Sequence, residues 1–215
     1  MQPITIGSSK QLFADEHFIA SSEGVELVMN SPYQAHEPVV TADAPWENPS
    51  DTSLGIYSTV LKEEDGRIRL WYHLRRANTK SKLSLDQAYI GYAESTDGVH
   101  FEKPELNLFE EAGSTTNNVV LPSKLGGSSV WIDPNAPAEE CYKNQTKAYN
   151  PDVSMQFHMH CSPDGIHWKF LRRIQLDLGG GWDSQNIVFW DPAIGRYVLY
   201  TRNWFAQRHG TADGN

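Results

Sequence analysis

Apolar and aromatic residues come in short runs along this chain, and Asp, Gly, Pro and Asn break them up. Within the runs the period is two. Arg67-Ile68-Arg69-Leu70-Trp71-Tyr72 alternates polar and apolar side chains, as a strand with one buried face does. No stretch of helical periodicity extends beyond about two turns. The pattern predicts an all-β chain.

The runs repeat. Ser95-Thr96-Asp97-Gly98-Val99-His100-Phe101 returns 67 residues later as Ser162-Pro163-Asp164-Gly165-Ile166-His167-Trp168. Gly66-Arg67-Ile68-Arg69-Leu70-Trp71-Tyr72 returns 129 residues later, about two periods, as Gly195-Arg196-Tyr197-Val198-Leu199-Tyr200. Val130-Trp131-Ile132-Asp133-Pro134 holds the place of a middle copy. Each copy predicts an inner strand (56–61, 129–132, 187–190), an Asp/Pro/Gly-rich turn and an alternating second strand. A third strand (88–93, 155–160) leads into the Ser-x-Asp-Gly turn, and a fourth starts at Phe101 or Trp168. In that turn Asp accepts backbone N–H bonds and Gly takes positive φ; His100 and His167 occupy equivalent places in adjacent copies, as a catalytic residue would not, and read as structural.

Four-stranded sheets repeating every sixty-odd residues imply propeller blades. The organisation predicted is one β-propeller-type domain. It comprises an N-terminal segment (1–54), blade one with its linker (55–126), blade two with its linker (127–185) and a partial blade three (186–215). Two and a half blades cannot close a ring, so the chain reads as an incomplete fragment, with self-association expected through exposed blade edges. Residues 11–28 are a candidate strand for a last blade.

Composition narrows the function. Apolar residues make up 39 % of the chain, with seven Trp and nine Tyr, enough for a packed core. The formal charge of −9 argues against nucleic acid or an anionic membrane as partner and fits a neutral or cationic ligand. No run approaches the length of a membrane span, and the start lacks an apolar stretch behind a basic one. A cytoplasmic location is the default reading. The two cysteines, Cys141 and Cys161, read as reduced thiols or as a cross-strand disulfide over the hairpin through Asn150-Pro151-Asp152. Asn144-Gln145-Thr146 matches a glycosylation acceptor and reads as chance.

Gln11-Leu12-Phe13-Ala14-Asp15-Glu16-His17-Phe18-Ile19 resembles the opening of uncharacterised bacterial proteins related to glycoside hydrolase family 32. The resemblance continues in Pro45-Trp46-Glu47, Thr59-Val60-Leu61, Tyr92-Ala93-Glu94-Ser95 with Asp97-Gly98, and Gly180-Gly181-Trp182-Asp183-Ser184-Gln185-Asn186. It runs from residue 10 to about 202. It implies a five-bladed propeller of the superfamily holding families 32, 43, 62, 68 and 117. The implied activity is glycoside hydrolysis, with an oligosaccharide or polysaccharide as substrate.

That chemistry needs two carboxyl groups flanking one bond. In such propellers they sit just ahead of the innermost strands. Blade one offers Glu47 and Asp51, and blade three offers Asp183. Blade two has Asn117 and Asn118, then Leu125-Gly126-Gly127, and no acid, which favours a second reading as a non-catalytic sugar- or protein-binding module. Trp46 and Trp182 are candidates to stack on sugar rings, and Arg202, His73 and Asn118 to contact substrate. His158 and His160 share one strand face, but no third ligand is evident, and no metal or other cofactor is expected. Gly179-Gly180-Gly181 lacks the context of a phosphate loop.

Overall fold

The computed structural model describes residues 4–8, 11–47, 52–76, 88–111, 113–123, 125–150, 154–175 and 184–202. The chain divides into two units, Met1–Pro38 and Val39–Asn215. The described part of the first is built of turns and extended chain. Ile19 N donates to Glu16 O at 3.0 Å, and the Phe13 and Phe18 rings meet edge to face at 6.4 Å. Residues 11–28 form no strand within it.

Among its described residues the second unit is β-structured, apart from one 3-10 turn at Ala138–Glu140. Its strands are β1 (Thr52–Lys62), β2 (Ile68–Arg76), β3 (Ala88–Ser95), β4 (Val119–Ser123), β5 (Leu125–Ile132), β6 (Tyr142–Asn150), β7 (Ser154–Ser162), β8 (Lys169–Ile174), β9 (Ile187–Asp191) and β10 (Arg196–Tyr200). They form two four-stranded antiparallel sheets, β1 to β4 and β5 to β8, and a two-stranded sheet of β9 and β10. The first hairpin of each sheet closes with Lys62 opposite Ile68, Ile132 opposite Tyr142 and Asp191 opposite Arg196. β1 lies beside β5, and β5 beside β9, so the first strands of the three sheets are neighbours. Among the described residues the result is an open, propeller-like array of two four-stranded blades and a two-stranded third.

Blade one departs from expectation at its fourth strand. Phe101 does not begin it. A single bridge joins Glu94 and Glu102, and Pro104, with no N–H to offer a ladder, follows two residues later. The chain then loops away and returns as β4, with Leu106 N donating to Asn117 O at 2.8 Å and Tyr92 N to Asn118 O at 3.0 Å. In blade two the fourth strand starts directly after Trp168.

Alternation along the strands sets the packing. Odd-numbered Trp71 on β2, with Ile90 and Tyr92 on β3, forms a core with Val130 and Tyr142 of blade two. Even-numbered Leu70, Tyr72 and Leu74 face the other way and are covered by Trp46, Val40 and Ala44. The far face of blade two, Trp131, Phe157 and Met159, packs on Val188 and Leu199 of blade three. Burying one large apolar side chain is worth roughly 2–3 kcal/mol, so these inter-blade layers hold the array together.

Polar contacts fix the spacing. In both Ser-x-Asp-Gly turns Asp Oδ1 accepts backbone N–H bonds from the two residues after Gly, at 2.8–2.9 Å, and the His Nδ1 lies 2.7 Å from Asp Oδ2. The His100 ring and the backbone donors hold the Asp97 carboxyl well below the usual carboxylate range. Gly98 and Gly165 take φ of 79° and 73°. Blade one grips the second turn: Arg69 Nη1 donates to Asp164 O at 2.5 Å, and Trp71 Nε1 to Gly165 O at 2.7 Å.

The cysteines are free. Cys141 packs against the Trp71–Tyr142 layer, while Cys161 is buried opposite Lys143, so the bridge is not formed. Asn144 is buried in β6 and offers no surface for glycosylation.

Candidate functional site

The first strands come together at a junction built from polar side chains. Gln185, just ahead of β9, donates from Nε2 to Ser58 O on β1 and to Ser128 O on β5, both at 3.0 Å. One amide thus ties all three blades. Asn186 N donates to Gly127 O at 3.1 Å, and Gln145 Nε2 donates both to Gly127 O at 3.0 Å and to Asn186 O at 2.7 Å. Thr201 Oγ1 donates to Asn186 Oδ1 at 2.5 Å.

Ser184 lies at the same junction. Lys147 Nζ donates to its carbonyl at 3.2 Å and Arg202 Nη1 to its hydroxyl at 3.0 Å. Its φ of 71° is left-handed, a conformation that persists in a non-glycine residue only where surrounding contacts over-determine it. Gly127 makes the approach feasible. It has φ 88°, and a Cβ on it would fall 2.3 Å from Ser184 O.

Several polar atoms in and near this region are buried without a hydrogen-bond partner: His73 Nε2, Gln145 Oε1, Ser129 Oγ and both amide atoms of Asn144. Such groups cost free energy unless something satisfies them, and they mark places where a ligand or water has bonds to gain. Burial, with the positive charges of Lys147 and Arg75, pulls the His73 imidazole down to about 4, so it is neutral at pH 7.

The residues expected from sequence are distributed as follows. Asp51, Asp183 and Trp182 lie outside the described residues. Thr52, directly after Asp51, opens β1, and Ser184 directly follows Asp183 at the junction. Arg202 is exposed beside Ser184. His73 is buried on β2, opposite Ile90.

Glu47, Trp46 and Asn118 gather instead on the face of blade one turned away from blade two. Glu47 is 0 % exposed. Its Oε1 accepts from Tyr72 OH at 3.1 Å, and its Oε2 from Lys103 Nζ at 2.6 Å and Ala44 N at 3.1 Å. Lys103 also donates to Thr41 O at 2.5 Å and Asp43 Oδ1 at 2.8 Å. That ion pair holds the Asp43 carboxyl below its ordinary range. Asn118 Nδ2 donates to Tyr72 OH at 2.6 Å and Tyr92 O at 2.7 Å. Burial and the Glu47 charge push the Tyr72 phenol upward, so it stays a neutral donor. Trp46 is 6 % exposed, and its ring packs in the core, leaving little face for a sugar.

His158 and His160 both stand edge-on to Phe170, at 5.6 and 5.8 Å. Among the described residues no group of three His, Cys, Asp or Glu side chains is placed to hold a metal ion.

Sequence reasoning missed Gln145, Lys147 and Gln185. For Lys147 alone a signal lay in the register: it stands as many residues after Tyr142 as His73 does after Ile68.

No family model matches the chain, and no curated protein matches it. Solved structures similar to it include β-fructofuranosidase from Schwanniomyces occidentalis complexed with fructosyl-erythritol, at 13 % identity and TM-score 0.49 over 71 % of this chain and 30 % of that one. An N-acetylgalactosamine deacetylase from F. plautii in complex with blood group B trisaccharide has 12 % identity and TM-score 0.49, over 74 % of this chain and 48 % of that one. A thermostable family-43 glycoside hydrolase has 17 % identity and TM-score 0.42, over 70 % and 41 %. The chain therefore spans less than half the length of each. At these identities and scores the likeness carries no argument about chemistry.

Proposed function

We propose that this chain is a carbohydrate-active propeller that cleaves glycosidic bonds of an oligosaccharide or polysaccharide, with Asp51 and Asp183 as the paired carboxyl groups at the junction of the first strands. The observation that carries the reading is Gln185. It binds Ser58 on β1 and Ser128 on β5, and so draws together the strand that follows Asp51 and the segment that follows Asp183. One carboxyl protonates the leaving oxygen, and the other acts as nucleophile or as base for water. Separations of about 5–5.5 Å would give retention and about 6.5–9.5 Å inversion. Arg202 and Trp182 flank the pair as substrate contacts, and His73 offers a neutral nitrogen. Glu47, Trp46 and Asn118 act from the buried face, holding blade one in place.

A second reading, a sugar-binding module without chemistry, is favoured by one observation. The start of β5, Gly127-Ser128-Ser129, carries no carboxylate. The test is turnover of a panel of aryl glycosides and oligosaccharides by the full chain, Asp51→Asn and Asp183→Asn. The hydrolase reading requires a substrate on which each variant loses at least about a hundredfold in kcat. Unchanged turnover in both variants removes the assignment. Sugar binding without turnover leaves the module.

A further inference from the structure

Gln185 stands where the first strands meet, with one polar atom to spare. Its Nε2 donates to Ser58 O on β1 and to Ser128 O on β5, both at 3.0 Å. A primary amide carries two N–H donors, so both are spent. The same contacts fix its orientation, because turning the amide over would set Oε1 against two carbonyl oxygens, acceptor facing acceptor. Among the described residues no donor is bonded to Oε1. Gln185 is half-buried, and its bond to Ser58 lies in an exposed setting.

Gln145 gives the contrast. Its Nε2 is held in the same way, by Gly127 O at 3.0 Å and Asn186 O at 2.7 Å, and its Oε1 also has no partner. Gln145 is 0 % exposed, so that oxygen is sealed against a sugar. The Gln185 oxygen is not among the sealed atoms. It belongs to the residue two positions after Asp183, and its amide is bonded to the strand that follows Asp51.

Such an atom can accept and cannot donate. It gains a bond from a hydroxyl that turns its proton toward it, and none from an ether oxygen, a fluorine or a C–H. Its rotamer freedom is already spent in holding the blades, so little further ordering is lost when a ligand arrives.

We propose that Gln185 Oε1 accepts a hydrogen bond from one hydroxyl of the bound sugar, which makes this residue a determinant of specificity. The site takes saccharides with a free hydroxyl at that position and discriminates against those in which it is missing or substituted. The inference rests on the carbohydrate reading above and deepens it.

The test is a double-mutant cycle between Gln185 and each sugar hydroxyl. The probe is the p-nitrophenyl glycoside that the full chain turns over fastest or, failing turnover, binds most tightly by calorimetry. Each ring hydroxyl is replaced in turn by hydrogen and by fluorine, and every probe is run with wild type and Gln185→Met. The expected result is one position at which wild type loses about threefold to tenfold in kcat/KM or affinity with either replacement. In Gln185→Met the penalty at that position alone should vanish, and electronic effects common to both proteins cancel in the cycle. A uniform fall for all probes in Gln185→Met, with no position coupled, overturns the proposal and leaves Gln185 as a tie between blades. If Gln185→Met does not fold, the side-chain amide resonances of isotope-labelled wild type decide. The parent probe should shift the Gln185 signal, and the analogue lacking the critical hydroxyl should leave it near its free position. Equal shifts with both, or none with either, overturn the proposal. Turnover without coupling at any hydroxyl sinks this inference and leaves hydrolysis standing. Coupled binding without turnover does the reverse. A chain that neither binds nor cleaves any of these glycosides overturns both.

Discussion

Trp71 of blade one donates its indole N–H to the main-chain oxygen of Gly165 in the turn of blade two, at 2.7 Å. The bond joins the apolar layer between the blades to the repeated Asp-Gly turn. It also explains why the turn needs glycine there, beyond its φ of 73°: a Cβ on Gly165 would lie 2.7 Å from the Trp71 ring.

Trp71→Phe should therefore cost about 1–3 kcal/mol, from the lost hydrogen bond, a carbonyl left to find water and some lost packing. Gly165→Ala should cost at least as much, through both clash and strain. Gly98→Ala, at the equivalent turn, meets only Ile68 Cδ1 at 3.1 Å and should cost less than Gly165→Ala. Urea unfolding of the three variants ranks them, and a larger loss for Gly98→Ala would overturn this account of the blade contact.

The buried lock on the other face of blade one is a second target. Glu47→Ala leaves the Lys103 ammonium, whose side chain is 13 % exposed, without its buried partner. Removing one member of such a pair costs about 3 kcal/mol or more. Asp43 remains to hold Lys103, so the loss should fall toward the lower end of that range. Trp46 lies in the same cluster, so its fluorescence should shift red as the segment loosens. A Glu47→Ala variant with wild-type stability and unshifted emission would show that the lock does not hold this segment.

Acid should weaken the fold through His73. In the unfolded chain His73 titrates near 6.5, but in the fold burial has pulled it down to about 4. The unfolded state then takes up the proton first, so stability falls as pH drops from 6.5 toward 4 and levels off for this group below that. The full loss from His73 is on the order of 3 kcal/mol. His160, also lowered to about 4 by burial, adds to it in the same window. Unfolding free energies at pH 7, 5.5 and 4.5 should decline for wild type and decline less for His73→Met. Equal slopes in the two proteins would refute the role given to His73.

Gly127 tests the junction. With φ 88° and Ser184 O in the space a Cβ would take, Gly127→Ala must push Ser184 away or distort β5. Ser184 and Asn186 are anchored to the same neighbourhood by Lys147, Gln145 and the Gly127 carbonyl, so the displacement should reach the residues that follow Asp183. Saccharide binding by Gly127→Ala should fall by about tenfold or more, with a loss of at least about 2 kcal/mol in stability. Wild-type affinity in a folded Gly127→Ala protein would separate this junction from the ligand site.

The two Ser-x-Asp-Gly turns were legible because their chemistry is local. Asp97 and Asp164 bond donors two and three residues away, and each following glycine supplies the positive φ. The strand pattern was legible for a similar reason, since alternation records which face is buried. β4 was not. The chain leaves the sheet after one bridge near Phe101 and returns at Val119. Strand pairing depends on a partner many residues away, and a proline two residues past the bridge was the only local hint.

From sequence alone came the all-β class, the repeat and its offsets, and the turns, because each rests on contacts between residues a few positions apart. Only the tertiary structure could separate Glu47, sealed against Tyr72 and Lys103, from a residue at the strand junction. Only it could bring Gln185 to both Ser58 and Ser128, 127 and 57 residues away. The propeller-like array brings side chains from different blades to one place, and their separation along the chain carries no trace of that meeting. Lys147 reads in isolation as one polar residue of an alternating strand. In the fold its ammonium donates to the main-chain oxygen of Ser184, 37 residues away.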